Sequence, residues 1–251
     1  WEASIKLPKD DLGALQIWFE QNVKDVTAEK QSFKQSLKKS STYKDRTTLN
    51  SEENDGKKTT EMQSDFSWGD LNEGSAELKI SGKEIYVSAK AKNDYIRNQK
   101  GYDDEVKIYA QTPSDGSVLQ MAIQKIIPVA KKELQARLPK VATKEDGFKI
   151  LKDRIKDFKV NESSYTQKLT PSCLTSYELK SEVKGKSVDD TFKFNFGDLS
   201  DYKLSVSKDV IKITSKVIDS KKFIQYTKNG ALENYDNSVD FIVGDLEDAR
   251  Y

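Results

Sequence analysis

Apolar residues follow a helical spacing near the start of the chain and again near its middle. The first set comes after the acidic pair Asp10-Asp11 and consists of Leu12, Leu15, Trp18, Phe19, Val23 and Val26. This i, i+3, i+4, i+7 spacing predicts an amphipathic helix over residues 10–27. Thr143-Lys-Glu-Asp146 resembles a capping box with Asp in the place of Glu, and an apolar stripe follows it at Phe148, Leu151, Ile155 and Phe158. A second helix is therefore predicted from Thr143 onward.

After each helix the hydrophobic pattern changes to a period of two, which is typical of β-strands. In the second half the alternating segments are 163–169, 174–183, 190–196, 203–207, 210–217, 223–227 and 237–243. The first half has strand patterns at 76–80 and 84–89, and its polar stretch 38–64, with a turn at 54–56, predicts an exposed two-stranded ribbon. Tight turns between sequential strands predict antiparallel pairing in a meander.

A further helix is predicted to close the first half of the chain. Thr112-Pro-Ser-Asp115 is a helix-start signal, and apolar residues then recur at helical spacing as far as Leu134. Pro128 is expected to kink this helix or to split it. The equivalent stretch 244–251 ends the chain, so we expect a truncated second closing helix and a natural C-terminus further on.

Three segments of the chain occur twice, in the same order. Val23–Leu37 returns 132 residues later as Ile155–Leu169 with five identical positions, Phe-Ser-Trp-Gly-Asp-Leu at 66–71 returns as Phe-Asn-Phe-Gly-Asp-Leu at 194–199, and 102–108 returns at 235–241. A period this long exceeds the 20–50 residues of a solenoid repeat. The sequence therefore predicts an α+β fold of two tandem duplicated domains.

Each predicted domain is a mainly antiparallel β-sheet meander flanked by N- and C-terminal helices. Residues 1–138 form the first and 140–251 the second, with the boundary inside Pro139–Thr143. The residues expected to overlie one another are Phe66, Trp68 and Leu71 with Phe194, Phe196 and Leu199. Trp68 and Phe196 are also expected to be buried.

Charge balance argues against nucleic acid as a partner. The chain has 42 Lys plus Arg against 41 Asp plus Glu, for a net charge of +1, and only five of the basic residues are Arg. The sequence contains no apolar run of 18 residues, so no membrane span is predicted. The chain begins with Trp1 rather than Met, and a removed export signal is one ordinary origin of such an N-terminus.

Catalytic and metal-binding chemistry is limited by residue type. The absence of histidine removes the commonest general base and metal ligand, and the single cysteine excludes an intrachain disulfide. We therefore expect no cofactor, metal or disulfide. Cys173 lies at the start of a predicted strand, where we expect it to be a small buried residue.

The repeated Gly-Asp-Leu motif is the strongest candidate signature. Asp70 and Asp198 would be a carboxylate pair in a functional interpretation. In the structural interpretation, which we favour, Gly bends the chain out of a strand and Asp occupies the turn.

Two other groups of residues are weaker candidates. Acidic residues that could bind a hard cation are Asp103, Asp104, Asp189, Asp190 and Asp236, all predicted to lie in turns. Residues that could form a basic and aromatic edge for an anion or a lipid headgroup are Lys221, Lys222, Tyr226 and Lys228, with Tyr95, Arg97 and Lys100 in the first half. Edge strands protected by lysine are the preferred interpretation of this second group.

The leading functional hypothesis is a non-enzymatic binding or structural protein whose two similar domains present surfaces to another protein or macromolecule. The alternatives are a carboxylate-dependent glycan hydrolase and a carrier of a small ligand or lipid. Two acidic side chains about 5–10 Å apart in a cleft would support the hydrolase. An apolar cavity of roughly 300 Å³ or more between helix and sheet would support the carrier.

Overall fold

Antiparallel β-sheet dominates the computed structural model of the chain, in which 50% of residues are in strands and 26% in helices. The structure describes residues 7–28, 31–40, 46–93, 95–98, 101–207 and 210–249. The chain divides after Arg137 into two compact units, called here the first unit and the second unit. Four α-helices lie within the described residues, so the predicted α+β class is confirmed.

The first unit begins and ends with a helix, as the sequence predicts. Its described elements are α1 (Leu12–Asn22), β1 (Val26–Ala28), β2 (Gln31–Lys39), β3 (Thr47–Asn54), β4 (Thr59–Phe66), a 3-10 turn (Trp68–Asp70), β5 (Glu77–Ser81), β6 (Glu84–Lys90), β7 (Ile96–Asn98), β8 (Gly101–Asp103), β9 (Glu105–Tyr109) and α2 (Pro113–Arg137). Strands β3 and β4 pair over most of the predicted ribbon, of which residues 41–45 lie outside the described part.

The strands of the first unit form two antiparallel sheets instead of one continuous meander. The larger sheet has the order β1-β2-β3-β4-β7-β8, and the smaller has the order β5-β6-β9. The meander prediction is wrong at β4, which pairs with β7 through Ser64↔Asn98 and not with the next strand in sequence. The 3-10 turn after β4 carries the chain out of the larger sheet, so β5 and β6 start a separate one.

Helix α2 covers the smaller sheet of the first unit. Its start is capped by Thr112, whose hydroxyl accepts from the Asp115 amide and donates to the Asp115 carboxylate. The apolar spacing found in the sequence places one face of the helix in the core, where the buried residues are Leu119, Ala122, Ile123, Ile126, Ile127 and Ala130. The helix is not split, because it continues through Pro128 as one element.

The second unit repeats this order of elements up to the closing helix. Its described elements are α3 (Lys144–Arg154), β10 (Phe158–Val160), β11 (Ser163–Thr170), β12 (Thr175–Val183), β13 (Lys186–Phe194), a 3-10 turn (Phe196–Asp198), β14 (Leu199–Ser207), β15 (Val210–Val217), a further 3-10 turn (Ile218–Ser220), β16 (Ile224–Lys228), β17 (Ala231–Asp236), β18 (Ser238–Val243) and α4 (Leu246–Ala249). Residues 250–251, at the end of the predicted truncated helix, lie outside the described part.

The second unit also has two antiparallel sheets, ordered β10-β11-β12-β13-β16-β17 and β14-β15-β18. Helix α3 begins at the predicted capping box, in which the Thr143 hydroxyl accepts from the Asp146 amide and the Asp146 carboxylate accepts from the Thr143 amide, both at 3.1 Å. The core is built around Tyr177 and Phe194, which are 0% and 1% exposed. Helix α3 itself has no buried residue, although α1 buries three.

A pair of matching hydrogen bonds ties the second strand of each unit to the segment before it. In the first unit the Gln35 amide donates to Asp25 Oδ1 (2.9 Å) and Gln35 Nε2 donates to the Lys24 carbonyl (2.8 Å). In the second unit Gln167 makes the same two bonds, to Asp157 Oδ1 (2.7 Å) and to the Lys156 carbonyl (2.7 Å). These residues lie within the repeated segment Val23–Leu37, and their identity in both copies has this local structural cause.

Candidate functional site

An open groove lies between α1 and the C-terminal half of α2 in the first unit, and we call it the α1–α2 groove. Its volume is about 520 Å³. Its floor is a polar network in which Gln16 Oε1 accepts from the Trp68 indole N–H (3.1 Å) and from the Thr47 hydroxyl (3.0 Å). The Gln16 side-chain nitrogen is buried and has no hydrogen-bond partner among the described residues. The groove therefore offers one amide donor at its floor.

The walls of the α1–α2 groove combine apolar and charged side chains. Ile17 on α1 is 54% exposed, and Leu134 faces it from α2 across the groove lining. Arg46, only 3% exposed, donates from Nη1 to the Asp65 carbonyl (3.3 Å). On α2, Arg137 pairs with Glu133 at 3.3 Å. These groups suit an apolar partner that also carries hydrogen-bond acceptors.

The second unit has an open groove of about 650 Å³ along α3, which we call the α3 groove. Its centre is Phe148, whose ring meets Phe196 edge to face at 5.3 Å between centroids. The Lys144 ammonium lies 5.7 Å from the Phe148 ring centroid, within cation–π range. Lys149 and Lys152 also line the groove and are exposed.

The two grooves occupy corresponding positions in their units. Residues lining the α1–α2 groove recur 132 residues later, the offset of Val23 to Ile155, in the lining of the α3 groove. The corresponding pairs are Leu12 and Lys144, Gly13 and Glu145, Gln16 and Phe148, Ile17 and Lys149, Glu20 and Lys152, and Lys39 and Pro171. The hydrogen-bonded pair Gln16–Trp68 is thus replaced by an aromatic pair in the second unit.

The grooves differ in what lies over the 3-10 turn. In the first unit a Cβ on Gly69 would lie 3.0 Å from the Ala130 carbonyl oxygen, so α2 approaches the turn as closely as a glycine allows. In the second unit a Cβ on Gly197 would meet only Asn195, at 3.5 Å. Trp68 is accordingly buried as predicted, at 3% exposed, whereas the prediction for Phe196 is wrong because its ring is only half-buried.

The repeated aspartates lie at the structural turns that the favoured interpretation assigns to them. The Asp70 amide donates to the Ser67 carbonyl (3.1 Å), and the Asp198 amide donates to the Asn195 carbonyl (3.0 Å). Each residue is the last of its 3-10 turn, at the end of β4 or of β13.

The acidic candidates for a cation site are engaged in other contacts. Asp103 accepts from the amides of Asp104 and Glu105 in a turn, as expected. Asp189 and Asp190 are not in a turn but in β13, because that strand begins at Lys186, four residues before the predicted start at 190. The described residues contain no group of three or more acidic, Cys or His side chains placed to hold a metal ion, and Asp236 ends β17 apart from any such group.

The basic and aromatic candidates of the second unit do not form a sheet edge. Strand β16 lies between β13 and β17, so Tyr226 and Lys228 are inside the sheet, contrary to the edge prediction. The Tyr226 hydroxyl donates to the Asp190 carboxylate (2.8 Å), and partial burial together with this bond raises the Tyr226 pKa to about 12. Lys221, beside Lys222 before β16, pairs with Asp219 at 3.7 Å.

The corresponding candidates of the first unit lie near a short inner strand. Arg97 is in β7, between β4 and β8, and Tyr95 directly precedes that strand. Lys100 lies outside the described residues. Strand β7 is therefore an inner strand as well, contrary to the edge prediction.

Cys173 is exposed, and the expectation of burial is wrong. It lies in the connection between β11 and β12, and the first buried residue after it is Thr175, which starts β12. Cys173 lines the α3 groove.

An acidic row on the larger sheet of the first unit is a feature that sequence reasoning missed. Lys34, Glu52 and Glu61 occupy neighbouring register positions on β2, β3 and β4 and line an open groove of about 450 Å³. Lys34 Nζ lies 2.8 Å from Glu52 Oε1, and this bond and the Glu52 charge raise the Lys34 pKa. The four-residue loop after Asn54 sets this register, so a sequence argument needs the loop length to find the row.

Carboxyl groups with a shifted pKa favour ionisation. The backbone amides of Lys58 and Lys57 lower the pKa of Asp55. Partial burial opposes ionisation of Glu105, but the ammonium groups of Lys107 and Lys79 outweigh it and lower its pKa. A general acid would need a raised carboxyl pKa, and these shifts have the opposite sign.

Two further results bear on what the chain can be compared with. Among the described residues, no helix has both the length and the hydrophobicity needed to cross a membrane. No family model, curated protein or solved structure matches the chain.

Proposed function

We propose that the chain is a non-enzymatic binding protein, made of two duplicated α+β domains, that offers the α1–α2 groove and the α3 groove to a macromolecular partner. The domains are 1–138 and 140–251. The observation that carries the proposal is the position of the two grooves, because their lining residues are related by the same offset as the repeated sequence.

The duplication is supported by three kinds of correspondence. The sheets of the two units have the same strand order, the repeated segments are in the same order, and the bonds of Gln35 to Lys24 and Asp25 recur at Gln167. A duplicated binding unit raises avidity for a partner that reaches both sites. Because the side chains of the two grooves differ, we expect each groove to bind a different part of the partner.

Site-specific photocrosslinking tests the proposal. A benzoyl-phenylalanine at Ile17 samples the α1–α2 groove, one at Lys149 samples the α3 groove, and one at Ile80, which is 61% exposed on β5, is the control. In an extract of the native source we expect discrete macromolecular adducts from positions 17 and 149 and none from position 80. Absence of adducts at both grooves would refute the proposal.

The acidic row gives the glycan hydrolase a specific location. Glu52 and Glu61 are cross-strand partners, which places their Cβ atoms about 4.5–5.5 Å apart, in the range that two catalytic carboxylates would need. Against this, Glu61 is exposed and Glu52 is paired with Lys34. Release of reducing sugar from a glycan panel, lost in Glu52→Gln and in Glu61→Gln, would establish the hydrolase in place of the binding protein.

The volume of the α1–α2 groove favours the small-ligand carrier to a lesser degree. At about 520 Å³ it exceeds the roughly 300 Å³ at which small-molecule sites begin, and it lies between two helices and the ends of β2 and β3. Native mass spectrometry of the purified chain distinguishes this function, because a carrier would retain a stoichiometric small molecule that Ile17→Glu releases.

A further inference from the structure

The α3 groove carries more apolar surface than the second unit covers. Helix α3 buries none of its residues, and Phe148 and Leu151 are only half-buried against the core. In the first unit, α1 buries Leu15, Trp18 and Phe19. The second unit therefore has an amphipathic helix whose apolar stripe is only partly covered.

The first unit shows what kind of structure fits over this surface. There α2 covers the 3-10 turn, with its Ala130 carbonyl placed where a side chain on Gly69 would be. The corresponding Gly197 has open space above it, and Phe196 and Leu199 beside it are half-buried. The glycine of the second copy leaves room for a helix backbone that is not present among the described residues.

The charge around the α3 groove identifies the chemistry of the occupant. The positions of Leu12, Ile17 and Glu20 on α1 are taken on α3 by Lys144, Lys149 and Lys152. No ion pair joins Lys149 or Lys152 to another described residue. Three ammonium groups around an aromatic floor favour an occupant with acidic side chains beside its apolar stripe.

We infer that the α3 groove binds an acidic amphipathic helix of the partner, seated over Gly197 as α2 is seated over Gly69. The inference rests on the proposed function and names the partner's chemistry at one of its two grooves. Helix-in-groove recognition uses anchors at i, i+3, i+4 and i+7, and the stripe of α2 has this spacing. A small residue is expected where the helix crosses Gly197, as Ala130 is where α2 crosses Gly69.

Three fluorescein-labelled peptides test the inference on the full chain. The first has the sequence of α2, residues 113–137, and the second adds Lys125→Glu, Lys131→Glu and Lys132→Glu to it. The third is a scrambled form of the second, with the same charge and no apolar stripe. By fluorescence anisotropy we expect the acidic peptide to bind about tenfold more tightly than the unaltered one, and the scrambled peptide not to bind.

Matched variants of the chain locate the binding. Gly197→Leu fills the seat without an internal clash and is expected to weaken the acidic peptide about tenfold. Lys149→Glu with Lys152→Glu should reverse the preference between the two helical peptides. The control is Lys184→Glu with Lys186→Glu, which makes the same charge change at the far end of β12 and should leave both affinities unchanged. Circular dichroism confirms that each variant is folded.

The single thiol of the chain gives a direct check of position. A benzophenone attached to Cys173, which lines the α3 groove and is exposed, should crosslink the bound acidic peptide. Equal binding of the scrambled peptide, or no binding of any peptide, would overturn the inference. So would binding of sodium oleate in place of the peptides, or a dimer of the chain in sedimentation that Gly197→Leu abolishes.

Failure of the inference can be separated from failure of the proposed function. If peptides fail while benzoyl-phenylalanine at Lys149 still captures a macromolecule, the helical occupant is wrong and the binding function stands. If neither groove captures a macromolecule, both are wrong.

Discussion

Trp68 and Phe196 occupy the same place in the repeated Phe-x-aromatic-Gly-Asp-Leu motif, yet the first is buried and the second is half-buried. Both lie in a 3-10 turn after the fourth long strand of their unit. The difference comes from α2, which packs on the first turn and has no counterpart of similar length among the described residues of the second unit. A motif fixes the local turn, whereas burial depends on an element distant in sequence.

The largest expected effect of this difference is on stability. We expect Trp68→Ala to destabilise the first unit by about 3–5 kcal/mol, because it leaves a cavity in the core. Phe196→Ala should cost the second unit only about 1–2 kcal/mol, since part of its ring already contacts water. Hydrogen exchange of β4 and β13, followed by mass spectrometry, measures both changes in one chain. Equal losses would mean that α2 contributes little to the burial of Trp68.

The two glycines provide a matched pair of smaller substitutions. Gly69→Ala should cost about 1–3 kcal/mol, because the new Cβ would lie 3.0 Å from the Ala130 carbonyl and α2 would have to shift. Gly197→Ala has no such neighbour and should change stability by less than about 0.5 kcal/mol. Urea unfolding monitored by circular dichroism compares them, and a neutral Gly69→Ala would show that α2 is not held tightly against the turn.

Alkaline pH should destabilise the second unit through its buried tyrosine. Burial raises the pKa of Tyr177, whose hydroxyl bonds to Gln167. The folded state therefore keeps the proton after the unfolded state begins to lose it near pH 10, so this stability is complete below pH 10 and falls as pH rises further. One such group contributes about 1.4 kcal/mol per pH unit.

The control for this pH dependence is Tyr177→Phe, which removes the ionisable group. We expect a shallower loss of stability between pH 10 and 11 in hydrogen exchange of β12, and no change in the first unit, where burial raises the pKa of Tyr109 to about 12. An unchanged slope for β12 would contradict the assignment to Tyr177.

The smallest effect is expected at the acidic row of the first unit. Glu52→Gln removes an exposed ion pair with Lys34 and should change stability by less than about 1 kcal/mol. Thermal unfolding in low and in high salt measures it, and the effect should decrease with salt. A larger loss would indicate that the row is part of the structural core.

Local patterns predict much of this fold, and long-range pairings account for what they miss. The Thr143 capping box, the Thr112 helix start and the hairpin turn after Asn54 depend on neighbouring residues and are present in the structure. The pairing of β4 with β7 joins residues more than thirty positions apart, and no local periodicity indicates it. The sequence therefore predicts strands correctly while misplacing some of them in one meander.

The candidate site was less accessible from sequence than the fold. Both grooves depend on side chains brought together from separate elements, such as Gln16 on α1 and Trp68 in the turn. The exposure of Cys173 was also mispredicted, because its burial depends on where β12 begins. One available signal was the replacement of Leu12, Ile17 and Glu20 by lysines in the aligned second copy.

The position of α2 at the end of the first unit has a consequence for synthesis of the chain. Trp68 leaves the ribosome roughly sixty residues before Ala130, which at about 5–20 residues per second is an interval of about 3–12 s. During that time the first unit has its sheet strands and its aromatic turn but no helix to close over them. A nascent chain at this stage exposes an apolar surface that chaperones recognise, and the interval ends only when α2 emerges.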